Sequence, residues 1–375
     1  MRRPVRPELT RLSAMDALRA MLRPAGGGVH VVSTGVAERE AMQRRLYRLS
    51  ADASTTEIES AWQAELERLP SARVVVLGVP SDVGAGFVRG ANLAPAALRA
   101  TLLDRPAALY GRDPSIVDLG DVRVVPQLLS EDMVSEGQRA ATRRALYGDD
   151  QAPWPVAPLD IARAALDACA LLAPKAVPIV LGGDHSVAWP AFAAAYARCP
   201  SLGLLHFDAH TDLLEHRLGV RYCFATWAFH ANALLGGDGR VVQVGVRASA
   251  HPREHWERTL GVRQFRMDEV DALGSAGIAD ATIERFQARG VTAVYVSDDI
   301  DGLGAEWALS TGTPEPGGLS PAFVREVIAR VRAAFPLVGA DVVEVAPPLH
   351  GEHPEEPART LGHAADVLED LMKAE

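Results

Sequence analysis

Short apolar runs alternate with longer amphipathic segments along most of the chain after residue 71. The runs are rich in Val, Leu and Ile and end at glycine or polar residues, which is typical of buried strands. Strands are predicted at 73–78, 115–118, 177–181, 202–207, 240–246, 291–297 and 338–344. Helices are predicted near 94–103, 158–172, 187–197, 226–235, 281–289, 320–334 and 360–373. Strands joined by helical crossovers predict an α/β protein with a mainly parallel sheet covered on both faces.

Residues 1–70 show a different pattern and are predicted to form a largely helical N-terminal extension, ahead of one domain over 71–375. Three glycines at 26–28 separate its first helical stretch from a short apolar run at 29–32. The polar segment 124–157 is predicted to be a surface insertion. Helical periodicity in the extension appears around 7–22, 36–48 and 55–69.

Composition narrows the class of protein. The 375 residues are 48% hydrophobic, which is enough for a sizeable core, and no apolar run is long enough to cross a bilayer. The net charge of −10 disfavours general nucleic-acid binding. The cysteines are few, odd in number and widely spaced, so a reducing, cytoplasmic location is expected rather than a disulfide framework. They are Cys169, Cys199 and Cys223.

Imidazoles and carboxylates cluster where three predicted strands end, and ligand sites of parallel sheets lie at that edge. One cluster is Gly182-Gly183-Asp184-His185-Ser186, and a second is the run from His206 to Asp212. The third is Ser297-Asp298-Asp299-Ile300-Asp301. In the second and third clusters the candidates alternate, so that they share one face of a strand. The candidate metal ligands are His185, Asp208, His210, Asp212, Asp299 and Asp301.

For His185 a plainer reading stays open, because Asp184 or Ser186 also fits as the cap of the following helix. Taken together, however, two imidazoles and four carboxylates are too many for one mononuclear zinc site. They suit two divalent ions bridged by carboxylates, and Mn²⁺ is the ion we expect. Two such ions share a water molecule and lower its pKa, which permits attack on an electrophilic carbon.

Glu344 closes the last predicted strand and adds a carboxylate to the same edge. If it is not a metal ligand, it suits a planar, cationic substrate such as a guanidinium group. A structural ion pair is the alternative.

These motifs resemble those of the ureohydrolases, the family of arginases, agmatinases and their relatives. The resemblance runs from about residue 74 to 373 and rests first on the three metal-binding signatures in this order and spacing. The runs Thr311-Gly312-Thr313-Pro314-Glu315-Pro316-Gly317-Gly318 and Val343-Glu344-Val345-Ala346-Pro347-Pro348 are closer to agmatinases than to arginases. The resemblance implies a three-layer α/β/α fold, a binuclear manganese centre and a homo-oligomer.

The resemblance also implies a role for each site residue. Asp208 and Asp299 match the bridging ligands. His185 and Asp212 match ligands of one ion, and His210 and Asp301 match ligands of the other. Asp212 would also help to pass a proton to the leaving amine, and Glu344 matches the catalytic residue that orients the guanidinium. The products would be urea and an amine.

The loop after the second signature departs from the family pattern. Relatives that act on guanidines usually carry a proton-transferring His followed by Gly, whereas Phe224 stands at that place here. His230 and His216 are near in sequence and are the candidates to replace it. We select His230 as the catalytic residue, and a packing or surface role for His230 is the alternative. Phe224 and Trp227 are predicted to line a more apolar substrate pocket. Free L-arginine is disfavoured, because no arginase-type loop for the amino-acid carboxylate is recognisable.

The leading hypothesis is therefore a hydrolase of a small cationic guanidino substrate. Agmatine, a guanidino acid and arginine within a peptide are the candidates. Two alternatives stay open: a formimino or other non-peptide carbon–nitrogen hydrolase, and a metal-binding relative impaired by the loss of the usual histidine at Phe224.

Overall fold

The computed structural model describes residues 11–29, 35–86 and 88–373, which form twelve α-helices and nine strands. Most of the predicted run at 29–32 lies outside the described residues. The strands are β1 (Leu22–Arg23), β2 (Val74–Gly78), β3 (Ile116–Val122), β4 (Val177–Leu181), β5 (Leu202–Phe207), β6 (Val241–Val244), β7 (Arg263–Phe265), β8 (Ala293–Asp299) and β9 (Leu337–Val343). The helices are α1 (Arg11–Met21), α2 (Val36–Leu46), α3 (Thr55–Leu66), α4 (Ala94–Asp104), α5 (Glu136–Tyr147), α6 (Pro158–Leu172), α7 (Ala188–Arg198), α8 (Trp227–Leu234), α9 (Arg253–Leu260), α10 (Met267–Ala288), α11 (Pro321–Ala334) and α12 (Glu356–Met372).

All nine strands belong to one sheet, in the order β1-β3-β2-β4-β9-β8-β5-β6-β7. Every neighbouring pair is parallel except β1 and β3, which are antiparallel. Strands β4, β9, β8 and β5 are adjacent at its centre, so their carboxyl ends open onto one edge. The predicted mainly parallel sheet is confirmed.

The hydrophobic core is divided between the two faces of this sheet. One cluster of buried side chains includes residues of α1, α6, α7 and α8, such as Phe192 and Trp227. The other includes residues of α4, α10, α11 and α12, such as Phe286 and Leu368. Helices on both faces of a central sheet make three layers, so the predicted α/β/α class is confirmed.

The described part of the N-terminal segment shares this core. Strand β1 pairs with β3 through Leu22 opposite Val122 and Arg23 opposite Asp121. Trp62 on α3 is 1% exposed, and its Nε1 donates a hydrogen bond to the carbonyl oxygen of Leu119 at 2.9 Å. The segment is mostly helical, as its periodicity predicts, and it fills part of the core of the sheet. The domain boundary at residue 70 stays a prediction.

Replacing Trp62 with alanine should therefore destabilise the whole protein. The change leaves a cavity and an unpaired carbonyl, and we expect the free energy of unfolding to fall by about 3–5 kcal/mol. Denaturant unfolding measures this. Trp307, which is 40% exposed, is the matched control, and its alanine variant should lose about 0.5 kcal/mol. Equal losses at the two positions would show that the N-terminal segment does not support the fold.

The pattern of apolar and polar residues did not predict several helices and strands of the structure. The predicted strand 115–118 continues to Val122, because the buried guanidinium of Arg99 pairs with both Asp118 and Asp121 and makes these polar positions compatible with a buried strand. The predicted surface insertion contains α5 and a small core of its own. Ser135 caps that helix by accepting a hydrogen bond from the Gln138 amide, which is a readable start signal. The short strands β1 and β7 and the helix α9 were also missed.

Among the described residues, the structure contains no helix that is both long enough and apolar enough to cross a membrane.

Candidate metal centre

The predicted site residues meet at the carboxyl edge of the four central strands. His185 lies in the turn after β4, and the run from Asp208 to Asp212 follows β5. Asp299 is the last residue of β8, Asp301 lies in the turn that follows, and Glu344 comes directly after β9. Four loops that are distant in sequence therefore converge, because parallel strands end at the same edge.

The ring of His185 is the centre of the first group. Its Nδ1 lies 2.9 Å from Asp299 Oδ2, 3.1 Å from Asp212 Oδ2 and 3.4 Å from Asp208 Oδ2. The ring is fully buried, and Nδ1 has no hydrogen-bond partner. An orphaned ring nitrogen that faces three carboxylate oxygens is the arrangement of a metal ligand whose ion would lie among them.

His210 forms a second group, which shares Asp208 with the first. Its Nδ1 lies 3.0 Å from Asp301 Oδ2 and 3.4 Å from Asp208 Oδ1. The ligand atoms of Asp208, His210 and Asp301 are close enough to bind one ion, as are those of His185, His206, Asp208 and Asp212. The His210 side chain is 27% exposed, so this group is the more open of the two.

Burial and mutual repulsion dominate the electrostatics of the carboxylates. Burial, together with the charges of Asp301 and Asp208, raises the pKa of Asp299 well above its usual range. Burial and the charge of Asp208 likewise raise the pKa of Asp212. Burial also acts on Asp208, but the proximity of three histidine rings lowers the pKa of that carboxyl well below its usual value. So much negative charge in a buried space is costly unless cations neutralise it.

The two histidines respond in the opposite direction. Burial favours the neutral ring of His185, yet the carboxylates of Asp208, Asp212 and Asp299 raise its pKa well above the usual value. For His210, burial is likewise outweighed by Asp208 and Asp301, which raise its pKa to about 12. Both shifts have the same physical cause, which is the strong preference of the surrounding carboxylates for a nearby positive charge. The donor set therefore fits two divalent ions.

A layer of buried residues behind the ligands fixes their orientation. The outer nitrogen of His185, Nε2, lies 2.9 Å from Ser297 Oγ, which in turn donates to Asp341 at 2.7 Å. Trp227 Nε1 donates to Asp212 Oδ2 at 3.0 Å, and its ring lies against that of His185 with centroids 4.7 Å apart. Such partners hold ligands in the geometry that an ion requires.

His206 belongs to this cluster, although the sequence interpretation did not select it. Its Nε2 lies 2.9 Å from Asp208 Oδ2, and its other ring nitrogen lies 3.0 Å from the side-chain nitrogen of Gln243. The available signal was the alternation itself, because residue 206 continues the series 208, 210 and 212 on one face. A fully buried histidine in contact with the Asp208 carboxylate is well placed to orient it.

Two site residues have left-handed backbone conformations, Asp212 with φ 52° and Glu344 with φ 60°. For residues other than glycine this conformation is strained, and such strain is concentrated at functional sites. Glu344 is buried, and its Oε1 accepts a hydrogen bond from the His185 amide at 2.8 Å. Burial and the charge of Asp184 raise its pKa well above the usual range. The carboxyl group thus lies beside the candidate metal ligands, where a positively charged group would stabilise its ionised form.

The residues predicted to bind substrate or transfer protons have different surroundings. Trp227 is fully buried beneath the ligands, so it supports Asp212 and does not line an open pocket. Phe224 lies under the guanidinium of Arg217 and lines a surface groove. His230 Nε2 lies 3.0 Å from the Arg221 carbonyl oxygen, and its ring packs on Tyr222. This is the packing of a core histidine, which gives no support to a catalytic role for His230.

Arg247 is a further residue that the sequence interpretation did not select. Its guanidinium donates to the carbonyl oxygens of Asp301 at 2.8 Å, Leu303 at 2.9 Å, Glu315 at 3.1 Å and Gly302 at 3.2 Å. A side chain on Gly318 would collide with it, since an added Cβ would lie 2.8 Å from Arg247 Cζ. One side chain therefore fixes the turn that carries Asp301.

Replacing Arg247 with methionine should loosen this turn and weaken ion binding by the group of Asp208, His210 and Asp301. We expect the weaker-bound Mn²⁺ ion to lose affinity about 10–100-fold, measured by calorimetric titration. Arg240→Met is the matched control, because Arg240 also donates to backbone carbonyls but lies at the opposite end of β6. The same loss of affinity in both variants would contradict this role.

The fold and the site together define an α/β protein with two adjacent groups of His and Asp side chains, each of which could hold a metal ion. The family model described as the arginase family matches residues 72–373. The chain belongs to the arginase family, and it is a hydrolase that acts on linear amidines.

Curated relatives and a solved structure agree with this membership. The chain is 32% identical over 295 residues to the guanidinobutyrase of Pseudomonas aeruginosa. The aligned region covers 76% of this chain and 81% of that protein. It is 31% identical over 292 residues to the mitochondrial agmatinase of Gallus gallus, covering 76% of each. The structure of proclavaminate amidino hydrolase from Streptomyces clavuligerus is similar with a TM-score of 0.62 and 30% identity, over 80% of this chain and 93% of that one.

Proposed function

We propose that this protein is a manganese-dependent ureohydrolase that releases urea from a guanidino compound other than free L-arginine. The observation that supports this most directly is the orphaned Nδ1 of His185, which faces carboxylates of Asp208, Asp212 and Asp299. Glu344 beside this centre supplies the negative charge that a guanidinium group requires. The relatives named guanidinobutyrase and agmatinase favour the same chemistry.

In this proposal His185 and Asp212 would hold one Mn²⁺ ion, His210 and Asp301 would hold the other, and Asp208 and Asp299 would be shared between the two ions. When bound, two such ions lower the pKa of a shared water molecule so that it acts as a nucleophile near neutral pH. The protein's own residues position the substrate for this attack. Glu344 would orient the guanidinium, because one of its oxygens is fixed by the His185 amide and the other remains for the substrate.

Asp212 is the residue that we propose for proton transfer. Trp227 fixes Asp212 Oδ2 by a hydrogen bond of 3.0 Å, so the second carboxylate oxygen remains for a proton on its way to the leaving amine. Phe224 has no group that transfers protons, and His230 is engaged with the Arg221 carbonyl oxygen. The proposal therefore needs no histidine in this loop.

The substrate would be agmatine, a guanidino acid or an arginine-containing peptide. We further propose a homo-oligomer in the cytoplasm. All three cysteines are free, in keeping with the reducing compartment expected from the sequence.

A product assay tests this function. The Mn²⁺-loaded protein is offered agmatine, 4-guanidinobutyrate, an arginine-containing peptide and N-formiminoglutamate, and urea, ammonia and formamide are measured. We expect urea from at least one guanidine. Formamide or ammonia from the formimino compound, without urea from any guanidine, would overturn the proposal in favour of the alternative carbon–nitrogen hydrolase.

A further inference from the structure

A surface groove of about 500 Å³ lies beside the metal centre, on the side of Phe224. The Phe224 amide donates to the Gly84 carbonyl oxygen at 3.1 Å, which joins the two loops that form its inner wall. An added Cβ on Gly84 would lie 2.8 Å from Asp184 Oδ1, one residue before His185. The amide of Leu214, two residues after Asp212, donates to the Ala225 carbonyl oxygen at 3.1 Å. The groove is therefore bounded by the loop that carries Asp212, and its wall at Gly84 contacts the loop that carries His185.

The groove differs in chemistry from the centre next to it. Its walls are largely apolar and include Val83, Leu128, Met133 and Val134, and none of its lining residues is acidic. Met133 and Leu218 are 55% and 97% exposed, which is unusual for large apolar side chains. An apolar concave surface of this size is within the range of small-molecule sites, about 300–1,000 Å³. A short guanidino acid would occupy only a small part of it.

Arg217 is the charged residue of this lining. Its guanidinium lies over the Phe224 ring, 4.9 Å from the centroid. Its backbone forms a turn with Val220 through hydrogen bonds of 2.9 and 2.8 Å. No carboxylate of the described residues forms an ion pair with this side chain. A cation held at the groove in this way is available to an anionic group of a ligand.

The two ends of the site are thus opposite in charge. The metal centre and Glu344 attract the positive guanidinium, whereas Arg217 attracts a carboxylate and repels a second ammonium group. Between them lies apolar surface. Resting on the proposed function, we infer that the groove binds the distal part of the substrate, which is an arginine acylated on its α-nitrogen by an apolar group and bearing a free carboxylate. Arg217 is then the residue that selects the carboxylate, and the apolar walls receive the acyl group.

Urea release from four guanidines tests this inference: Nα-benzoyl-L-arginine, Nα-benzoyl-L-argininamide, free L-arginine and agmatine. We expect the benzoylated acid to have the highest kcat/KM. Because Arg217 is exposed before substrate binds, the preference for the acid over its amide should be about tenfold. Agmatine, which carries an ammonium group in place of the carboxylate, should be a poorer substrate than the benzoylated acid.

Arg217→Met should remove the preference for the acid, so that the acid and the amide are hydrolysed with equal kcat/KM. Arg221→Met is the matched control, because Arg221 belongs to the same loop and stacks on Tyr222 at the same distance of 4.9 Å, but does not line the groove. The control should keep the tenfold preference.

Three results would each overturn the inference, while urea release would still uphold the proposed function. The first is equal kcat/KM for the benzoylated acid and its amide, and the second is a higher kcat/KM for agmatine than for the benzoylated acid. The third is a preference for the acid that survives in Arg217→Met. Absence of urea from every guanidine, with ion binding verified on the same sample, would overturn the proposed function and this inference with it.

Discussion

Replacing Asp299 with asparagine should abolish hydrolysis, whereas the same change at the adjacent Asp298 should preserve it. Asp299 Oδ2 lies 2.9 Å from the orphaned Nδ1 of His185, at the point where a bridging ligand is proposed. An asparagine there removes the negative charge that two ions would share. Losing an ion removes at least about 4 kcal/mol of transition-state stabilisation, so activity should fall by about a thousandfold or more.

Asp298 is a close control for this experiment. It is equally buried on the same strand, but alternation directs it to the opposite face of the sheet from Asp299. Burial and the charge of Asp341 raise the pKa of Asp298 to about 8, so its charged form is disfavoured and the neutral, similarly shaped asparagine should be tolerated there. Mn²⁺ content per chain and urea release should both persist in Asp298→Asn. Retention of two ions by Asp299→Asn would contradict the ligand assignment.

Glu344→Gln should lower kcat/KM by about a hundredfold to a thousandfold without loss of ions. The expected size reflects a buried carboxylate that pairs with a guanidinium, which contributes about 3–5 kcal/mol when one partner is removed. Glutamine keeps the acceptor for the His185 amide and the same left-handed backbone, so the fold should tolerate it. Steady-state kinetics and Mn²⁺ content measure the two effects separately.

The exposed Glu352, in the loop after the same strand, provides the control for this change, and its glutamine variant should be as active as the original protein. A Glu344→Gln variant with unchanged kcat/KM would exclude Glu344 from substrate binding. A variant that lost its ions would instead make Glu344 part of the metal centre.

The central site was predictable because its signals are local. Alternation on one strand places Asp208, His210 and Asp212 together, and parallel strands end at one edge, so His185 and Asp299 join them. The same alternation already contained His206, which the structure places 2.9 Å from Asp208. The three-layer fold followed from strands that alternate with amphipathic helices.

What could not be predicted depends on contacts between distant residues. Strand β1 has two residues, and it exists only through its pairing with β3, about a hundred positions later. The continuation of β3 through Asp118 and Asp121 requires the buried Arg99. Trp227 supports Asp212, and Arg247 fixes the turn of Asp301, through contacts that no spacing rule describes. The groove that Phe224 lines is formed by three separate loops, and no local pattern in the sequence indicates their assembly.

A calorimetric titration of the metal-free protein with Mn²⁺, followed by a urea assay on the same sample, tests the account most directly. The account predicts two ions per chain, and urea release from a guanidine that rises as the ions bind. A single ion per chain, or urea release that does not depend on added ions, would contradict it.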